Sequence, residues 1–100
     1  MKQCVFTPAA IQDIDGIWDY TFDKWGPAQA ERYLRIIQDT VVGLGAGTQR
    51  SLSAQDIRDG YRKALVGMHV LFFKDAADTI QIVRILHQQM DLSAHLGEAE

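Results

Sequence analysis

Three histidines, at 69, 87 and 95, and one cysteine, Cys4, are the side chains of this chain best suited to proton transfer, nucleophilic attack or metal binding. His87 closes an apolar run, TIQIVRILH (79–87), that carries a single arginine, Arg84, and His87 opens a polar one, HQQMD (87–91). Such a junction is either an active site at a strand end or the place where a buried strand reaches water. The spacing argues against metal chemistry, because the histidines lack the close intervals of a ligand set and Cys4 has no second thiol beside it. The glycines of GLGAG (43–47) lack the lysine and following Ser/Thr of a phosphate loop, and no Ser/His/Asp arrangement has supporting context. No catalytic residue, metal or cofactor is therefore assigned. His69, in an apolar segment, reads as a residue bonded to a carbonyl. Arg84 reads equally as a partner contact or as the structural mate of an acidic side chain or helix C-terminus.

The composition bounds what remains. One hundred residues make one domain, 1–100, and 47 % apolar with 23 % charged residues is ordinary for a globular fold. No apolar run reaches the roughly 20 residues of a membrane span, and MKQCVFTPAA is too polar for a secretory signal. A lone cysteine suits a reducing compartment, so a cytoplasmic location is expected. The net charge of −3 is unevenly spread: residues 50–74 hold five Lys/Arg against two Asp/Glu, whereas 75–100 hold one against five. A protein that grips many phosphates shows a basic excess, so direct nucleic-acid readout is disfavoured.

The elements that would position these groups follow from periodicity. CVF (4–6) reads as a short strand holding Cys4 as a small core residue. Thr7 and Pro8 make a helix start, and Ile11, Ile14, Trp18, Phe22 and Trp25 recur at helical spacing as the inward face. Gly26 and Pro27 end one helix and begin another, whose inward side is Ala30, Tyr33, Leu34, Ile37, Val41 and Leu44. That helix should dissolve in GLGAGT (43–48). A link so short folds the two helices into an antiparallel hairpin. After a polar connection (48–60), with a turn of helix near SAQDI, come strands at 61–66, 68–74 and 79–87, joined by short turns and hence antiparallel. The middle one is apolar on both alternating sets. The hairpin can cover one face of it, leaving the other as an apolar surface for a partner.

In this order, strand–helix–helix–strand–strand–strand, the chain resembles the ParE branch of the RelE/ParE superfamily of type II toxin–antitoxin toxins. The pieces that carry the resemblance are TPAAIQDIDGIWDYTFDKWGPAQAERYL (7–34), DIRDGYRKALVGMHVLFF (56–73) and IQIVRILHQQMDLSAHL (80–96), with a departure in 43–55, where a glycine-rich stretch replaces an asparagine–proline turn. The resemblance implies an α+β fold, with an N-terminal strand and a helical hairpin packed on a three- to four-stranded antiparallel sheet. It also implies neutralisation by a ParD-like antitoxin and poisoning of DNA gyrase by binding. The family's tail pattern carries target contact to His87, Met90, Asp91, His95 and Leu96. Commonly acidic antitoxin tails point to Arg58, Arg62 and Lys63. The alternative is a RelE-like ribosome-dependent mRNA endoribonuclease, whose pattern expects arginine after the last strand and then a tyrosine or histidine. Gln88 and Gln89 stand there instead, and the last tyrosine is Tyr61. An amide donates a hydrogen bond but supplies no charge to a developing phosphorane.

Overall fold

Local sequence sets where the helices begin and end. The structure, a computed structural model, describes residues 1–89. Strand β1 (Gln3–Phe6) passes directly into helix α1 (Pro8–Trp25), where Thr7 Oγ1 accepts the Ala10 N–H at 3.1 Å and Pro8 fills the first turn. The same hydroxyl donates to the Val83 carbonyl at 2.7 Å, so the cap also fastens the helix to the sheet. Gly26, at φ 90°, ends α1 and starts α2 (Pro27–Ala46), a backbone value that side chains resist. Helix α2 continues through the glycines expected to dissolve it and stops at Gly47. The reason lies in packing: Gly45 is buried against β1, its carbonyl accepts the Lys2 N–H at 2.8 Å, and a Cβ there would sit 2.8 Å from the Lys2 carbonyl oxygen. The glycine lowers helix propensity and permits close approach; tertiary contact decides.

The remaining strands are β2 (Leu52–Ser53), β3 (Tyr61–Val66), β4 (His69–Asp75) and β5 (Thr79–His87), in the spatial order β1-β5-β4-β3-β2. The α+β architecture with a helical hairpin on a sheet is as the sequence implies, but among the described residues the sheet has five strands and is mixed. Strand β1 lies parallel to β5, with Cys4 opposite Ile80, and the other pairs are antiparallel. A strand buried on both faces, as β5 is, needs backbone partners on both edges; β4 supplies one and β1 the other. Between Phe72 and Phe73 the register shifts, their partners being Arg84 and Ile82, which leaves Val83 as an extra residue. Ile82 and Ile85, three apart, consequently share the helix side, while Val83 and Leu86 share the other.

Two apolar layers result. Ala10, Ile17, Ile37, Val41 and Leu44 of the helices pack on Leu71, Phe73, Ile82 and Ile85, with half-buried Cys4 against them. On the opposite face Tyr61, Val70, Phe72, Val83 and Leu86 are also buried, and the connection before β3 adds Ala54 and Ile57 to them. This corrects the expectation of an uncovered sheet face. A second correction concerns α1. Its buried residues are Ala10, Ile17 and Thr21, with Ile14 half-buried, whereas Ile11, Phe22 and Trp25 are 51 %, 44 % and 60 % exposed. The true inward stripe places a small Ala10 and a Thr21 whose hydroxyl donates to the Ile17 carbonyl (2.7 Å), so neither shows as large and apolar. Helix α2 keeps the expected face: Ala30, Ile37, Val41 and Leu44 are buried and Tyr33 and Leu34 half-buried. No helix of the described residues is long and apolar enough to cross a membrane.

Candidate functional site

The sheet register brings two of the three histidines together. His69 opens β4 directly opposite His87, the last residue of β5, and their rings meet edge-on with centroids 5.4 Å apart. Tyr33 of α2 completes a row of three rings, 5.5 Å from His69, and its Oη lies 2.6 Å from His69 Nδ1. The same hydroxyl accepts the Met68 N–H at 3.1 Å and lies 3.3 Å from the Val66 carbonyl. The partner of His69 is thus a tyrosine hydroxyl and not the carbonyl expected from sequence. Gly67 makes this possible: at φ 58° it turns β3 into β4, and a Cβ there would lie 2.6 Å from Tyr33 Oη. The end of β5 is tied to the same turn, because Gln88 N–H donates to the Met68 carbonyl (2.9 Å) and Gln89 N–H to His87 Nδ1 (3.2 Å). Burial, and then the His87 imidazole beside it, push His69 below the ordinary imidazole pKa, against an opposing pull from Asp13. Burial raises Tyr33, partly offset by the Met68 N–H.

Around the histidine pair lie two cavities of about 340 and 400 Å³ that share Tyr20, Thr21, His69 and His87. One runs under α1 past Gln12, Asp13 and Ile17; the other opens between the end of α1 and the start of α2, past Trp25 and Gln29. Asp13 is fully paired in this setting. Its carboxylate takes Arg84 Nε at 2.7 Å, Arg84 Nη2 at 2.9 Å and the Ile85 N–H at 2.9 Å, with both side chains only 12–13 % exposed. Of the two sequence readings of Arg84, the structural mate is the one observed. A fork-to-fork pair of this kind fixes α1 on β5 and removes the single arginine of 75–100 from the surface. Gln88 and Gln89 are exposed. Among the described residues, no three His, Cys, Asp or Glu side chains gather where they could hold a metal ion. Met90, Asp91, His95 and Leu96 lie outside the described residues.

Arg58, Arg62 and Lys63 do not form one patch. Arg62 pairs with Phe73 and Lys63 with Phe72, which are on opposite faces of the sheet. Arg62 Nε and Nη2 reach Ser51 Oγ (3.0 Å) and its carbonyl (3.2 Å), holding the segment that leads into β2. Arg58 lies over the ring of Tyr61, 5.9 Å from its centroid, with Lys74 at 5.2 Å. Lys63 lines a small groove with Arg50, Leu52 and Leu65. Strand β2 pairs only with Arg62 and Lys63, so among the described residues no strand covers this edge of β3 beyond them, where Leu65 is 61 % exposed.

Sequence reasoning missed the apolar surface of the hairpin. A groove of about 440 Å³ runs between the helices over Phe6, Ile14, Leu34, Ile37, Val41 and Val42. Val42, Ile11 and Phe22 are exposed apolar residues of the same hairpin. The signal was present: α1 carries two overlapping helical stripes, and only one can face the sheet.

Residues 4–92 match the model of a family described as the ParE toxin of type II toxin–antitoxin system, parDE. The chain is 41 % identical over 93 residues to Toxin ParE1 of Mycobacterium tuberculosis, covering 92 % of this chain and 95 % of that protein. It is 35 % identical to Toxin ParE1 of Caulobacter vibrioides, over 97 % of this chain and all of the relative, and 30 % identical to Toxin ParE of Escherichia coli, over 98 % and 96 %. Its fold matches a solved chain of the chromosomal ParDE TA system from P. aeruginosa with a TM-score of 0.74 and 24 % identity, covering 87 % and 96 % of the two chains.

Proposed function

Because the chain belongs to the ParE toxin family of type II toxin–antitoxin systems, we propose that it is a toxin held inactive by a ParD-like antitoxin and that it acts by binding DNA gyrase. The observation that carries the choice of binding over RNA cleavage is the end of β5. Cleavage through a 2′-hydroxyl needs preorganised cations beside the phosphate, and loss of one such donor costs about 2.7–4 kcal/mol of transition-state stabilisation. Here the arginine of that strand is locked to Asp13, and the next two residues are neutral amides. On this reading His87, with Met90, Asp91, His95 and Leu96 beyond it, contacts the target.

The antitoxin is assigned two surfaces. An amphipathic helix lays its apolar face in the hairpin groove, and an extended acidic segment runs from Lys63 along the open edge of β3 at Leu65, with Arg58 and Arg62 as separate contacts of that partner. Induction of the chain without antitoxin tests the target. Gyrase poisoning gives filaments and DNA-damage signalling while translation continues at first; immediate translational arrest with intact DNA would sink the reading and favour the ribosome-dependent nuclease.

A further inference from the structure

The cavity of about 400 Å³ between the end of α1 and the start of α2 combines aromatic rings with polar hydrogen-bonding groups. Its outer wall is a pair of exposed rings, Tyr20 and Trp25, 59 % and 60 % accessible and set edge to face with centroids 6.2 Å apart. Lys24 places its ammonium 5.4 Å from both ring centroids and donates to Tyr20 Oη at 3.2 Å. The inner wall is the histidine pair. Nδ1 of His87 accepts the Gln89 N–H, so in the neutral ring the proton sits on Nε2, which is then a donor. His69 Nδ1 is held by the Tyr33 hydroxyl, 2.6 Å away. No carboxylate lines this cavity among the described residues.

These features select the ligand. A cation is repelled by Lys24, and among the described residues no three metal-ligating side chains gather here. A wholly apolar ligand leaves the lysine and the His87 donor unmatched. A flat ring carrying an anion uses both walls: one aromatic ring stacks on it while the other meets its edge, and the donors meet the charge. The cavity has the size of a small-ligand site, about 300–1,000 Å³. The net charge of −3 disfavours a long polyphosphate strand, whose affinity needs many cations.

We propose that this cleft binds a free mononucleotide, its base stacked on Trp25 with the Tyr20 ring against its edge and its phosphate directed to Lys24 and the His87 imidazole N–H. The flexible lysine stem lets the ammonium leave the ring faces for the phosphate. The site goes beyond the toxin reading, and it shares His87 with the proposed target contact.

Calorimetric titration of the purified full chain tests it, with adenosine 5′-monophosphate as the probe and adenosine, inorganic phosphate and a short single-stranded oligonucleotide as separate arms. The expected result is saturable binding of one mononucleotide per chain, with adenosine and phosphate each at least about tenfold weaker, since each offers only half of the contacts. Trp25→Ala and Lys24→Gln, both at exposed positions, retain the parent melting temperature and each weaken binding by at least about fivefold. Absence of saturation at millimolar nucleotide overturns the proposal. So does phosphate binding as tightly as the nucleotide, an affinity unchanged in either variant, or tighter binding of the oligonucleotide.

Discussion

At the scale of single residues, the burial of His69 makes stability depend on pH in a defined direction. Burial holds His69 below the ordinary value of 6.5, so between that value and its lowered folded pKa the unfolded chain carries a proton that the folded chain does not. Stability is therefore full above about pH 6.5 and falls as pH decreases through that window. The melting temperature should drop as pH falls below about 6.5, and His69→Asn, which keeps an acceptor near the Nδ1 position without titrating there, should remove the part of the drop due to this residue. An unchanged pH profile in the variant would show that other groups cause the effect. The Arg84–Asp13 pair gives a second test. Arg84→Ala leaves a carboxylate largely buried with only the Ile85 N–H for company, and a destabilisation of about 3–5 kcal/mol is expected by denaturant unfolding. The double variant Arg84→Met with Asp13→Leu should lose much less than the two single changes combined, because no lone charge remains.

At the scale of elements, the hairpin groove separates folding from recognition. Val42 is 55 % exposed and lines the groove without belonging to the buried core. Val42→Glu should therefore alter stability by no more than about 0.5 kcal/mol, as surface changes usually do. It should weaken capture by an antitoxin helix by at least about tenfold, since an apolar pocket would have to accept a carboxylate. Co-expression then fails to restore growth although the toxin still folds; full neutralisation of this variant would place the antitoxin elsewhere. The same helix shows how far sequence reaches. The helix boundaries at Thr7–Pro8 and Gly26–Pro27 were legible because caps and prolines act locally. The choice between the stripes Ala10–Ile14–Ile17–Thr21 and Ile11–Trp18–Phe22–Trp25 was not, because side-chain size favours the second while the space above the sheet accepts the first. Strand β1 was likewise visible, but its parallel pairing with β5 is a long-range fact that no local pattern encodes. The histidine pair was hidden for a similar reason: residues distant in sequence become opposite partners only once the β4–β5 register, bulge included, is set.

At the scale of the whole molecule, charge distribution decides what kind of partner the chain can hold. Its excess of cations is confined to residues 50–74, and much of it is spent internally. Arg62 holds Ser51, while Arg58 and Lys74 lie over Tyr61. The segment from 75 onward is acidic, and its arginine faces Asp13. A nucleic-acid binder that neutralises several phosphates loses affinity steeply with salt, with a slope of roughly 0.7 per phosphate on single strands. Among the described residues no row of free cations offers a track along which a strand could run, whereas the apolar groove and open sheet edge suit a folded partner and a peptide. Fluorescence anisotropy of a labelled RNA of about 30 nucleotides with the full chain should therefore show no binding beyond the weak non-specific range, with dissociation constants above about 10 µM near physiological salt. Lowering the salt should produce only a shallow gain, of a size that one or two phosphate contacts explain. Binding tight enough to survive physiological salt, with a slope requiring six or more phosphates, would mean that these cations re-orient on contact with RNA, and the case for a protein target would lose its electrostatic footing.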